Sequence, residues 1–239
     1  MPVNPMPVNL WTRTDHALDY LERADSVSHR TEGESSLLEF IPPTTRRILD
    51  LGTGDGRLLA LVLRELVKRE HPKTEAIAID FSPAMLEAAR KRFAGDSSVA
   101  VMTHNLDDPL PDMGKFDAVV SSFAIHHVTH PRKRALYSEI HELLKSGGVF
   151  CNLDHVASPT PKLHDEFLRR NGFTRETEDP SNQLLDVETQ LQWLREIGFA
   201  DVDCHGNGGN WRCWRGDGGS SESAARDSLG HPLARLSRP

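Results

Sequence analysis

The sequence predicts an α/β fold, a mostly parallel, doubly wound sheet with helices on both faces. Two observations carry this. Between residues 46 and 156, five short apolar runs alternate with helical segments, and strands apolar along their whole length belong to sheets covered on both sides. The first junction, "RRILDLGTGDGRLLALVL" at 46–63, passes from strand to helix through three glycines, as a ligand-holding turn at the carboxyl edge of such a sheet does.

Residues 12–40 come first and read as helical. "DHALDYLERA" sets Ala17, Leu18 and Leu21 at helical spacing, "SSLLEFI" opens on capping serines, and Pro42 and Pro43 end the segment. "RRILDL" is strand one, and "RLLALVLRELVKRE" is nearly all strong helix formers. "TEAIAID" is strand two. Ser82 and Pro83 then open the helix "AMLEAARKRFAG", which Gly95 closes. "SVAVMT" and "KFDAVVSS" are strands three and four. In "HPRKRALYSEIHELLKSGG", Leu136, Ile140, Leu143 and Leu144 share a face and the glycines are expected to stop the helix. "GVFCNLDHV" is strand five. Two helices, "SPTPKLHDEFLRRNGF" and "DVETQLQWLREIGF", then precede a sixth strand, "ADVDC".

Composition narrows the function classes. With 38% hydrophobic and 26% charged residues, the 239-residue chain has the balance of an ordinary water-soluble domain. A formal charge of −7 argues against a general nucleic-acid binder. No run of about eighteen apolar residues predicts a membrane span. "MPVNPMPVNLW" lacks the basic-then-apolar layout of a secretory signal and is read as a leader. Cys151, Cys204 and Cys213 form no CxxC pair, so free thiols in a reducing cytoplasm are expected.

The glycine turn decides the ligand. A dinucleotide fingerprint wants G-x-G-x-x-G, but the third position here is Arg57, and the spacing is D-x-G-x-G-x-G from Asp50 through Gly52, Gly54 and Gly56. A nicotinamide oxidoreductase is therefore disfavoured. "LDLGTGDG", "AIDFSPAMLEAAR", "HNLDDPLP", "FDAVVSSFAIHHV" and "LLKSGGVFCNLDH" stand in the motif order of the class I S-adenosylmethionine-dependent methyltransferases. On these stretches the chain resembles that family, and its flanks resemble bacterial small-molecule members.

The resemblance implies a Rossmann-like methyltransferase fold, S-adenosyl-L-methionine as cofactor and a small-molecule methyl acceptor. It places Asp80 on the ribose hydroxyls, Phe81 and Leu106 around the adenine, and Asn105 opposite its amino group, where the family usually has aspartate. Asp50 lies near the methionine end, the glycines at Gly52, Gly54 and Gly56 let the backbone approach the ligand, Thr53 and Ser121 are further cofactor-binding candidates, and Arg30 is a donor to the cofactor's carboxylate. Because histidine titrates near neutral pH, His126 and His127, with Asp154, are the candidates for proton removal after strands four and five. No ligand spacing around His126, His127 and His130 points to a metal. "SSFA" stands where amino-methylating DNA enzymes have N/D-P-P-Y/F, and no Pro-Cys occurs, which turns the expectation away from nucleic-acid acceptors.

Such folds end in an antiparallel seventh strand. After "DVDC" the composition turns to glycine, serine and arginine with no alternating apolar residues, so disorder and a missing last strand are expected. Back-translated with GC-rich codons and read two bases on, "HGNGGNWRCWR" becomes "RQWRELALLA", which suggests a shifted reading frame from about Cys204–His205. The expected organisation is thus an N-terminal helical lid (1–45), a cofactor-binding domain with substrate-lid helices around 158–197 (46–204), and an altered tail (205–239). A non-catalytic protein that binds S-adenosylmethionine or S-adenosylhomocysteine, inactivated by that tail, is the alternative.

Overall fold

The computed structural model describes residues 10–23, 30–69, 74–205 and 211–218; the leader at 1–9 and the tail from 219 lie outside them. Seven strands form one sheet in the order β3-β2-β1-β4-β5-β7-β6. They are β1 (Arg47–Leu51), β2 (Glu75–Asp80), β3 (Val99–Thr103), β4 (Phe116–Ser122), β5 (Leu144–His155), β6 (Phe199–His205) and β7 (Trp211–Gly218). The first five run parallel. Among the described residues seven α-helices accompany the sheet: α1 (Thr14–Arg23), α2 (Arg30–Glu39), α3 (Arg57–Lys68), α4 (Pro83–Arg92), α5 (His130–Leu143), α6 (Pro161–Arg170) and α7 (Val187–Ile197). None of the described helices is long and apolar enough to cross a membrane.

Alternation within each strand splits the core in two. Leu49, Val119 and Phe150 face Leu136, Tyr137 and Ile140 of α5 and Leu194 of α7. Ile48, Ala118, Val120 and Cys151 face Leu37 of α2 and Leu59, Val62 and Leu66 of α3. Each such aliphatic or aromatic side chain contributes about 1.5–3 kcal/mol when fully buried. From β1 the chain winds outward to β2 and β3, then returns to place β4 on the other side of β1. That reversal opens a crevice at the carboxyl ends of β1 and β4.

Local chemistry sets the element ends. Ser82 precedes α4 with Pro83 in its first turn, and Asp186 caps α7 by accepting from the Thr189 amide at 2.8 Å. The glycines at 147 and 148 do not end α5 as expected. Strand β5 begins at Leu144, and its pairing with β4 slips between Phe116 and Ala118. Gly147 sits there at φ 74°, and a Cβ on Gly148 would lie 3.0 Å from the Lys145 and Phe116 carbonyl oxygens. The pair marks a bulge inside the strand.

The expectation of a missing last strand is corrected. Residues 211–218 form β7, antiparallel to β5 from Val149↔Asp217 to His155↔Trp211 and to β6 on its other side. Backbone pairing to two neighbours makes the strand, a signal that alternation of apolar side chains does not carry. The tail as translated completes the sheet, and no shifted frame is needed to cover the edge of β5.

Candidate active site

A cleft of about 90 Å³ lies at the carboxyl ends of the central strands. Its floor is the turn after β1. Gly54, at φ 56°, has the left-handed geometry that favours glycine, and a Cβ there would meet only Met85 Sδ, at 3.9 Å. The backbone at Gly54 therefore stands open to a ligand. Asp80, at the end of β2, accepts from the Gly54 amide at 2.9 Å and the Ser82 amide at 2.8 Å. Burial raises its pKa, while those backbone donors pull it back. Phe81, Asn105 and Leu106 line the same end with Met85, His104 and Asp107. Asn105 Oδ1 already accepts from the Asp107 amide at 3.1 Å, and His104 Nε2 is buried with no hydrogen-bond partner.

Beneath the turn, Asp50 is 1% exposed and does not line the cleft. Thr53 donates its hydroxyl to Asp50 Oδ2 at 2.6 Å, while Oδ1 is buried with no hydrogen-bond partner. Burial, with Asp80 and Asp55 nearby, pushes the Asp50 carboxyl up to about 7 against the Thr53 bond. Gly56 and Ser121 also stay out of the cleft. A Cβ on Gly56 would fall 2.4 Å from Phe93, and Ser121 donates to the Leu51 carbonyl at 2.8 Å. Both hold the turn from behind.

Side chains from outside the sheet build the opposite end. Trp11 and Tyr20 of the N-terminal segment meet edge to face, with centroids 5.0 Å apart. Arg30 is buried, donating from Nε to Glu34 at 2.8 Å and from a terminal nitrogen to the Tyr20 hydroxyl at 3.0 Å. Glu34 also takes Arg57 at 2.9 Å, so one buried carboxylate serves two guanidinium groups. Phe123, at φ 54° where β4 ends, brings its ring to 5.5 Å from the Arg30 guanidinium.

The three proton-transfer candidates come together but are not equivalent. His126 Nδ1 lies 2.5 Å from Asp154 Oδ1. Both are buried and neither lines the cleft. His127 does; its ring packs on that of His126 at 3.9 Å and faces Trp11 at 5.4 Å. Burial, then the neighbouring His126, holds the His127 pKa well below the ordinary histidine value. The ring is neutral at pH 7, as a proton acceptor must be. Behind the dyad, burial lowers the Lys133 pKa to about 8 while Asp154 opposes this.

Of the helices expected to form a lid, α7 has another task. It packs on α5 and β6, burying Leu194 and bonding Gln190 Oε1 to the Tyr137 hydroxyl at 2.6 Å. Trp11, Tyr20, His104 and Asp107 are cleft residues that sequence reasoning did not single out. Trp11 and Tyr20 sit in short polar stretches with no motif around them.

Fold and turn define the open α/β proteins that hold a nucleotide-bearing ligand at the point where strand order reverses. A family profile described as "Methyltransferase domain" matches residues 48–148. The demethylmenaquinone methyltransferase of Clavibacter sepedonicus is 32% identical over 177 residues, 68% of this chain and 69% of its own. An O-methyltransferase family protein from Burkholderia thailandensis superposes with a TM-score of 0.68 at 22% identity over 87% of this chain and 60% of its own. Human N-acetylserotonin methyltransferase, solved in complex with S-adenosylmethionine, gives a TM-score of 0.64 at 18% identity over 92% and 61%. The chain spans about three fifths of the length of these two solved structures. It belongs to the class I S-adenosylmethionine-dependent methyltransferases, and S-adenosylmethionine is the cofactor.

Proposed function

We propose that the chain transfers a methyl group to a small organic acceptor whose nucleophile arrives carrying a proton, and that His127 takes that proton. The observation that carries this is the neutral His127 ring in the cleft wall. Bound in the cleft, S-adenosylmethionine supplies an electrophilic methyl with its leaving group already in place. The acceptor's X–H bond breaks toward the unprotonated nitrogen of His127, leaving an imidazolium. His126, held by Asp154, packs on the His127 ring and fixes its place in the cleft wall. Trp11, Tyr20 and Phe123 wall the acceptor in and exclude water. Holding reactants in line supplies on the order of 7–11 kcal/mol of barrier lowering.

At the other end, Asp80 accepts from the ribose hydroxyls, Phe81 and Leu106 flank the adenine, and Asn105 faces its amino group. Gly52, Thr53 and Gly54 lie against the methionine portion, and Arg30, which lines the cleft, takes the carboxylate. Asp50, Gly56 and Ser121 act from beneath by holding the turn's shape. The net charge of −7 favours a small acceptor over nucleic acid. The alternative of an inactivated binding protein rested on a missing last strand, and β7 removes its basis.

Titration calorimetry should show S-adenosylhomocysteine binding and NADH not binding. Radiolabelled methyl transfer to a panel of phenols, amines and carbon acids should then identify the acceptor class. His127→Gln should lower transfer about 10²–10⁴-fold while keeping S-adenosylhomocysteine affinity. Full turnover by that variant would overturn the proton-acceptor role.

A further inference from the structure

The segment 171–186 between α6 and α7 is fastened to the turn that carries His126 and the cleft residue His127. The Gln183 amide donates to the His126 carbonyl at 2.7 Å, and Lys133 Nζ donates to the Gln183 carbonyl at 3.0 Å. His130 Nε2 lies 3.1 Å from the Leu184 carbonyl. Within this segment Ser181 Oγ stands 2.9 Å from His127 Nδ1 and 2.7 Å from Asp179 Oδ1. Asp179 Oδ2 is 3.5 Å from His16 Nε2 of α1.

Donor accounting fixes the protons. A serine hydroxyl has one hydrogen to give, and here it has two candidate acceptors. The carboxylate is the stronger acceptor and the nearer one. The Ser181 hydroxyl hydrogen therefore goes to Asp179, and Ser181 Oγ must accept from His127. A neutral imidazole carries its hydrogen on one nitrogen only, so His127 is protonated at Nδ1 and bears its lone pair at Nε2, on the opposite edge of the ring.

Resting on the proton-acceptor role given to His127 above, we propose that Ser181 and Asp179 are positioning residues. They hold His127 as the Nδ1–H tautomer, so that proton removal from the acceptor requires the 171–186 segment to be seated. Neither residue touches the reacting atoms; both act through the ring. His126, His155, His16 and the Ser181 backbone surround the same ring, but Ser181 Oγ is the side-chain atom hydrogen-bonded to its Nδ1.

Long-range proton–nitrogen correlation of the histidine side chains, recorded on the full chain without ligand, reads the tautomer directly and needs no acceptor. Wild type should show His127 protonated at Nδ1. Ser181→Ala should move it toward the Nε2–H form and lower turnover about tenfold, the value of one tautomer-selecting hydrogen bond, while S-adenosylhomocysteine affinity stays within twofold. Ser181→Thr keeps the hydroxyl and should restore both, which separates loss of the hydroxyl from misfolding. Asp179→Asn should fall between. An Nε2–H tautomer in wild type, or a Ser181→Ala protein unchanged in both tautomer and turnover, overturns the proposal. If His127→Gln is inactive in that second case, the proton-acceptor role survives alone. Should His127→Gln turn over normally, that role fails and the relay fails with it.

Discussion

The two ends of the cleft are built differently. The cofactor end is made from strand termini and backbone, with the Gly54 amide, the Ser82 amide and the Asp80 carboxylate locked together. The end proposed for the acceptor is made from side chains gathered from the N-terminal segment and the turn at 123–128, with Ser181 of the 171–186 segment bonded behind His127. A backbone cradle is shared by proteins that bind the same cofactor. A wall of side chains borrowed from outside the sheet is where a chain sets its own substrate. Variants at the two ends should therefore separate affinity from turnover.

Asp80 offers the largest separation. Asp80→Ala removes the two charge-assisted hydrogen bonds proposed to the ribose and frees the Gly54 amide; at about 1.5–3 kcal/mol each, the loss of S-adenosylhomocysteine affinity should be a hundredfold or more by calorimetry. An affinity within threefold of wild type would break the assignment. At the other end, His127→Gln should lower kcat by about 10²–10⁴-fold, the usual worth of a positioned base, with affinity for S-adenosylhomocysteine unchanged. Loss of both together would mean that the two ends are not independent.

A smaller effect concerns the neutral histidines of the acceptor end. His155, at the end of β5, stacks on His164 and packs 4.8 Å from Phe167. Burial first, then His126 and His164, lower its pKa to about 2. An unfolded histidine titrates near 6.5. Between those values the unfolded chain holds a proton that the folded chain refuses, so stability falls as pH drops below about 6.5 and is unaffected by this group above it. His155→Gln lacks that proton. Urea unfolding should show wild type losing about 1.4 kcal/mol more than the variant for each pH unit below 6.5. Parallel pH profiles would show that His155 is not held neutral.

How far the sequence reveals these features follows the same division. The turn at 52–56, Asp80 and the alternation of strands with helices are legible because backbone geometry demands particular residues at particular spacings. His126 and His127 are adjacent in sequence, yet one faces Asp154 and the other the cleft; only the short helical turn at Ile125–His127 separates their directions. Ser181 and Asp179 lie 54 and 52 residues from His127 in a polar loop, where nothing local marks them. Strand β7 is illegible for another reason. Its pairing with β5 and β6 uses backbone groups that every residue carries, and its composition has the look of disorder.

Asn105 gives the smallest expected effect and the finest test of the cofactor end. The family's aspartate would accept from the adenine amino group through a charged oxygen, and a charge-assisted bond is roughly twice as strong as a neutral one. That comparison alone predicts tighter binding for Asn105→Asp. Two features of this chain oppose it. Oδ1 of Asn105 already accepts from the Asp107 amide at 3.1 Å, so the added charge is partly committed to the turn. The new carboxylate would also stand beside Asp107 and Asp108, both exposed, and like charges at such spacing cost a few tenths of a kcal/mol in water. Gain and loss nearly cancel, and affinity for S-adenosylhomocysteine should rise less than about threefold, with the larger rise at high salt, where repulsion between exposed carboxylates is screened. A tenfold gain at low salt would mean that the amide is a defect in the adenine contact; no gain at any salt would mean that His104 or Asp107, which share that wall, carries the recognition instead.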